Sequence, residues 1–525
     1  MKDTMSHLHL SRRSFLQSSA LTLGLAAVPI EFAEAQSLEH RFFQHGVASG
    51  DPTPTSVIIW TRVSPTPEAI PGSGLGPDTT VTWEVSASSD FSTITRRGTA
   101  TTSATSDHTI HIDVSDLEPA RRYFYRFIAP NGEISTAGIT STSTLFDEPL
   151  SRLRFALASC ANWEAGYFAA YGDIARRAQA GELDVLIFLG DYIYEYARGM
   201  FAGKNGAVRD HEPAWETVSL ADYRVRYGHY RSDTQLQAAH AALPWIAMWD
   251  DHETANDAWR EGAQNHSATE GDWPTRKAAG FQAYLEWMPI RATSTLFRSF
   301  QFGDLATLSI LDLRSFRDLP PTYQQWAQGQ RATTMMGTEQ FQWLKDTVES
   351  TTTAWNIIGS SVMFAPMQLS GAPLAQLPEP LPANLDQWDG YSQERDRLLS
   401  ILAGTGLPTL FLAGDIHSEW ANSIRFNNQE IGMEVVCSSI TSANVDDFLH
   451  IAEDNPVSLN AENFIRANSP LVRHVDVDSH GYSTVILSRE AVQATWHRVA
   501  DLSQAASPVS PMIQLEWKPG QGFTS

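Results

Sequence analysis

The sequence predicts an α/β protein preceded by a small β-sandwich. Between about residues 40 and 143, short β-type runs follow one another, separated by Pro, Gly, Asp and Ser clusters. That is the pattern of an antiparallel sandwich. After residue 151, apolar runs alternate with amphipathic stretches, as strands and their covering helices do in α/β domains. A length of 525 residues suits two or three domains with a large core.

Taken in order, residues 1–35 stand apart from both units. They hold Arg12 and Arg13 within SRRSFLQ, an apolar stretch over 20–30, and the small-x-small site Ala33-Glu34-Ala35. This is a secretory signal, too short and wrongly flanked for a membrane span. SRRSFLQ matches the bacterial twin-arginine pattern, with Gln17 in place of the usual lysine. The expectation is export by the twin-arginine machinery to the periplasm or beyond. That route carries folded proteins and so suits a metal inserted beforehand. No other segment has the length or apolarity of a span.

Residues 36–145 form the predicted sandwich, with strands in SVIIWTRV, TVTWEVSAS, HTIHIDV, RYFYRFIA and ISTAGITSTS. LEPARRYFYRF (117–127) resembles the leucine-proline-tyrosine corner of a fibronectin type III domain. The Thr/Ser-rich segment up to residue 150 reads as a linker to the α/β domain at 151–525. There the strands are RLRFALASC, DVLIFLGD, PWIAMWDD, LATLSILDL, AWNIIGSS, LPTLFLAGD and GMEVVCSSI. Helices are predicted over 166–178, 220–227, 275–287 and 338–348, and Ser219 with Asp222 makes an N-cap for the second. HVDVDSHGYSTVILS and VQATWHRVA add strands without helices between them, which suggests a second sheet.

Acids outnumber bases 60 to 37, a formal charge of −23. A general nucleic-acid binding platform is excluded on that balance, since phosphate backbones need basic patches. An anionic substrate would have to be attracted locally, most simply by bound cations. Only two cysteines are present, Cys160 and Cys437, so one disulfide at most can form.

Several strands stop at polar residues of one character. Cys160 ends RFALASC; Asp191 ends LIFLGD, with Tyr194 three positions on; Asp250, Asp251 and His252 follow WIAMW; Asp415 and His417 end TLFLAGDIH. In α/β sheets the crevice beyond the strand C-termini is where ligands bind. A single Gly-Asp after a strand is an ordinary turn or cap, but two of them, continuing as G-D-x-x-Y and G-D-x-H, point to a metal site. Phenolate, thiolate and imidazole favour a transition ion, with phenolate suited to iron(III). Carboxylates and the Asn256 amide suit calcium or another hard divalent ion.

These motifs resemble the PhoD-type alkaline phosphatases and phosphodiesterases of the calcineurin-like metallophosphoesterase superfamily. The resemblance runs through HGVASGDPTPTSVIIWTRV, FALASCANWEAGYFAAYGDIA, DVLIFLGDYIYEY, RDHEPAWETVSLADYRVRYGHYRSD, PWIAMWDDHETANDAW, LDLRSFRD, GTEQFQWL, DQWDGY, FLAGDIHSEWAN and DSHGY. It implies a fibronectin-like N-terminal domain and a four-layer α/β/β/α catalytic sandwich. It also implies iron(III) held by cysteine and tyrosine with calcium alongside, and a metal-bound hydroxide or oxide that attacks phosphorus. Carried over, Cys160, Asp191, Tyr194, Asp415 and His417 match the metal-binding motifs. Asn256 is the choice for the amide ligand, while Asp251 sits where the wider superfamily places its asparagine. His252 aligns with the histidine that assists the leaving oxygen. Arg209 and His211 are candidates for the substrate phosphate; Arg314 and Arg317 read as structural, His480 as a turn residue and Cys437 as core. The resemblance implies a small-molecule or lipid phosphate ester as substrate. Two rival readings are a phospholipase D acting on phospholipid headgroups and a non-catalytic extracellular binding protein. An intact ligand set with a histidine at the catalytic position argues against the second rival.

Overall fold

A computed structural model describes residues 41–291, 294–369, 381–382 and 384–524; the signal segment at 1–35 lies outside them. The long apolar runs become parallel strands. Arg152–Ala158, Val185–Leu189 and Trp245–Met248 lie side by side, with Phe155 opposite Val185 and Trp245 opposite Leu186. They sit within a ten-stranded sheet whose order is Gly522–Phe523, Val509–Lys518, Val492–Val499, Gly481–Ser488, Arg152–Ala158, Val185–Leu189, Trp245–Met248, Val47–Gly50, Val57–Arg62 and Thr109–Val114. A seven-stranded sheet runs Arg298–Phe302, Ala306–Ile310, Trp355–Gly359, Thr409–Ala413, Gln429–Val436, Glu419–Phe426 and Val472–Asp476.

The strands are apolar on both sides because both sides are covered. Phe155, Leu157, Ile187 and Met248 of the larger sheet share one core with Leu308, Ile357, Leu410 and Val435 of the smaller. Alternate residues Ala156, Leu186, Phe188 and Ala247 face outward, onto Tyr171 and Ile174 of helix Ala169–Gln179 and Trp287 of helix Trp273–Trp287. On the far side of the smaller sheet, Ile358, Phe411 and Val436 meet Leu344 of helix Gly337–Ser350 and Leu398 and Leu402 of helix Ser392–Thr405. Truncating Phe155 or Trp355 to alanine would cost about 3–5 kcal/mol through the cavity left behind.

Helix starts follow local chemistry. Ser219 and Asp222 form a reciprocal capping box at helix Leu220–Tyr230. Asp233 accepts from the N–H groups of Gln235 and Leu236 at the next helix, Thr234–Ala242, which no strong periodicity announces. Helices Ser392–Thr405 and Pro456–Asn468 carry polar residues through their length and are likewise not marked by a strong periodicity. Among the described residues no helix is long and apolar enough to cross a membrane.

The structure redraws one sequence expectation and adds a contact to another region. The run HVDVDSHGYSTVILS, expected to add to a second sheet, divides at His480. Val472–Asp476 joins the smaller sheet, while Gly481–Ser488 pairs antiparallel with Arg152–Ala158 in the larger. The N-terminal strands divide between two sheets. Three of them oppose a four-stranded sheet across a shared core of Val57, Ile59, Val85, Tyr125 and Phe127. Yet Val47–Gly50 also lies parallel beside Trp245–Met248. The Asp51 N–H donates to the Trp245 carbonyl at 3.0 Å, and its carboxylate is held by Arg298 at 2.8 Å. Tyr123 is buried and its hydroxyl accepts from the Glu118 N–H at 2.9 Å.

Candidate metal centre

The C-terminal ends of the central strands converge where Ser159 of the larger sheet bridges Ser439, just beyond strand Gln429–Val436 of the smaller. Cys160, Asp191, Asp415 and His417 all adopt left-handed backbone there, with φ of 60°, 57°, 68° and 51°. Such angles are uncommon outside glycine and concentrate at functional sites. They turn each side chain sharply off its strand into one space. The preceding glycines are forced by crowding: a Cβ on Gly190 would come within 2.5 Å of Asp250 Cβ, and one on Gly414 within 2.4 Å of Ser159 Oγ.

Three overlapping groups of donors result, each with its ligand atoms within 4.8 Å of one another: Cys160, Asp191 and His417; Asp191, Asp251 and His252; Asp250, Asp251 and Asp415. Tyr194 joins the first, its hydroxyl 3.1 Å from Asp191 Oδ2 and 3.2 Å from His417 Nε2. Asp191 belongs to two groups and stands between them. His417 Nδ1–H donates to the Ala443 carbonyl at 2.7 Å, which leaves Nε2 as the lone-pair nitrogen facing the group. Burial lowers the His417 pKa to about 4, so the imidazole is neutral and able to ligate.

The electrostatics test whether cations fit. Burial, reinforced by Asp191 and Asp415, pushes the Cys160 thiol well up. Burial, with Asp191 and Cys160 beside it, does the same to Tyr194. Asp191 and Asp415 are driven well above the carboxylate range by burial and by Asp250 and Asp251, against the opposing pull of His252 on the first and Arg314 on the second. Asp251 goes the other way: burial opposes its ionisation, but Arg314 and His252 hold it low. Asp191 Oδ1 and Asp251 Oδ1 are buried without a hydrogen-bond partner. Thiol, phenol, imidazole and carboxylate oxygens crowded this way, short of positive charge, fit bound cations.

Further residues position these groups. The Glu253 carboxylate accepts from the backbone N–H of Asp191 (3.2 Å), Tyr192 (2.7 Å) and Asp250 (2.9 Å), tying two strand ends together. His252 Nδ1 lies 2.7 Å from Glu195 Oε2, and the other Glu195 oxygen accepts from the Asn256 N–H and Asn265 Nδ2, both at 2.8 Å. Although burial opposes it, Glu195, followed by Asp251 and Asp191, raises the His252 pKa well above its ordinary value. Arg314, expected to be structural, is a buried cation of the cluster, and Arg317, buried beside it, shares Asp386 at 2.7 Å. Arg314 donates to Asp250 at 2.6 and 2.8 Å, Asp386 at 2.6 Å and Asp415 at 3.0 Å. Glu195 and Glu253 close the strings DYIYE and DDHE, and only that adjacency hinted at them. Nothing in the local sequence marked Arg314, because its partners come from three separate segments.

Asp191, Asp251, His252, Asn256, Asp415 and His417 line one cleft of 590 Å³, together with Asp257 and Asp386. The Asn256 amide nitrogen donates to Gln264 Oε1 at 3.1 Å. Arg209 and His211, expected to meet substrate, do not line it. Arg209 is spent on Asp233 (2.6 Å) and the Gly166 carbonyl (2.6 Å), with Trp163 3.8 Å from its guanidinium. His211 is buried with Nε2 3.1 Å from Tyr230 Oη, a hydroxyl that accepts from the Tyr194 N–H at 3.3 Å. His211 thereby braces the chain behind Tyr194, while Arg209 is engaged by Asp233 and two backbone carbonyls away from the cleft. His480 contacts Ser439 and Asp447 outside the cleft. Cys437 lies in the apolar core between the sheets, and both cysteines are free.

Comparison with known proteins meets this geometry. The family model for PhoD-like phosphatases matches residues 155–496, and that for their N-terminal domain matches 29–144. Alkaline phosphatase D of Bacillus subtilis (strain 168) is 35% identical over 463 residues, covering 82% of this chain and 76% of that protein. A solved structure titled "Structure of PhoD" superposes with a TM-score of 0.82 at 32% identity, over 92% of this chain and 91% of that one. The chain therefore belongs to the PhoD-like phosphatase family and is homologous to alkaline phosphatase D, a phosphoric ester hydrolase.

Proposed function

We propose that this protein is an exported alkaline phosphatase/phosphodiesterase working with iron(III) and calcium. The observation that carries the reading is the pair of donor groups sharing Asp191, one with Cys160 and His417 and the other with Asp251 and His252, of which Asp191, Asp251, His252 and His417 line one cleft. Cys160, Asp191, Tyr194 and His417 would hold iron(III), and Asp191, Asp251, Asn256 and Asp415 would hold calcium. When bound, these ions offset the phosphate charge that an acidic protein repels and supply an activated water for attack on phosphorus.

The chain's own part is orientation and proton transfer. Glu253 fixes the backbones of Asp191 and Asp250, and Arg314 keeps Asp250 and Asp415 aimed. Glu195 holds His252 through Nδ1, leaving Nε2 to give its proton to the departing alkoxide. No protein nucleophile is required. The arrangement of two sheets under helices supports the α/β/β/α metallophosphoesterase layering. The Tyr123–Glu118 bond supports a fibronectin-like N-terminal unit at 36–145 joined to a catalytic domain at 151–525. The twin-arginine leader would place the protein in the periplasm or outside the cell. The test is hydrolysis of phosphate mono- and diesters by the exported, metal-replete protein; turnover abolished by chelation and restored by iron with calcium is expected. Full activity in the chelated protein would refute the reading.

A further inference from the structure

The cleft is mixed in character: carboxylates and imidazoles share its lining with Phe201, Ile416, Val445, Phe448 and Ile465. Phe201 links the two kinds of side chain. Its ring stacks on Tyr194 (centroids 5.5 Å apart, 20° between planes), lies 6.2 Å from His252, and stands 6.1 Å from Phe448. The loop bearing it is fastened: Asn162 Nδ2 donates to the Phe201 carbonyl at 2.5 Å, Gly199 N–H donates to Glu164, and Lys204 pairs with Asp446. Phe448 is 61% exposed, so the core does not need its ring. An isolated exposed aromatic is ordinary, but this one sits in the wall of a cleft that also holds the charged residues.

A phosphoryl group has no use for such a wall, and among the described lining residues there is no lysine or arginine to receive a second anionic group. Resting on the phosphoesterase reading, we infer that Phe201 and Phe448 form the specificity surface for an uncharged apolar group, best an aryl ring, on the ester's departing side next to His252. Ring faces at these separations suit offset or edge-on packing of a third ring. The surface selects esters of apolar alcohols over those of small polar ones.

The test is calorimetric binding of phenylphosphonate and methylphosphonate to the metal-replete protein, which reads affinity without turnover. We expect phenylphosphonate to bind roughly fivefold to tenfold tighter, the size of one favourable aromatic contact. Phe448→Ala should cut that advantage to about twofold, and because the residue is exposed the fold is not at stake. Phe201→Ala should act in the same direction. Equal affinities in the wild type, or an advantage that survives both substitutions, overturns the wall while leaving the phosphoesterase reading intact. Failure of both phosphonates to bind would overturn that reading and the wall with it.

Discussion

Among the described residues, two groupings of carboxylates and imidazoles crowded closely enough to hold a cation stand apart, and they solve the same electrostatic problem differently. Asp446 and Asp447 gather with His480; Asp191, Asp250, Asp251 and Asp415 gather with Cys160, His252 and His417. In the first, Lys204 reaches both carboxylates and His480 bonds Asp447 at 3.1 Å. Despite burial, that hydrogen bond and the Lys204 charge hold Asp447 below its ordinary range. In the second, the Arg314 guanidinium is divided among Asp250, Asp251, Asp386 and Asp415, and Asp191 and Asp415 are driven up. An orphaned oxygen does not separate the two, since Asp446 Oδ1 lacks a partner as well. Charge balance does. Lys204 and a hydrogen bond from His480 meet the two carboxylates of the first; the four of the second share only Arg314 and His252, which leaves it short of positive charge, as a centre that binds metal must be.

The largest effect should come from Asp191→Asn, which removes the carboxylate common to two donor groups. Loss of metal and a fall in turnover beyond the 10–100-fold typical of outer-shell changes are expected, read by metal analysis beside an esterase assay. His252→Ala should keep the metal and lose about 10²–10⁴-fold in kcat; a variant that lost metal equally would make His252 a ligand. Glu195→Gln, which loosens His252, should lower kcat about 10–100-fold with KM little changed. Smallest is Lys204→Met, at the first grouping. Because Lys204 is 32% exposed while Asp446 is fully buried, stability should fall by only about 1–2 kcal/mol, seen as a lower melting temperature. Metal content should not change, and a variant that lost metal would erase the distinction between the groupings.

Much of this was legible because it is local. Strand-end Gly-Asp pairs announced Asp191 and Asp415, since a glycine is needed where neighbouring strand ends nearly touch. The capping box at Ser219 and Asp222 was readable for the same reason. What escaped is non-local. Arg314 acquires its role from Asp250, Asp386 and Asp415, 64, 72 and 101 positions away, and Arg209 loses its expected one to Asp233 and two backbone carbonyls. The N-terminal strands read as a separate unit because pairing of Gly50 with Trp245 leaves no periodic trace in either segment.

The central claim is that Tyr194 and Cys160 face a bound iron(III), and the most direct measurement is a visible absorption spectrum of the exported protein purified without chelator. The account predicts a broad tyrosinate-to-iron(III) charge-transfer band that disappears in Tyr194→Phe. A colourless, fully active enzyme would contradict it, leaving a divalent-metal hydrolase in which Tyr194 only packs.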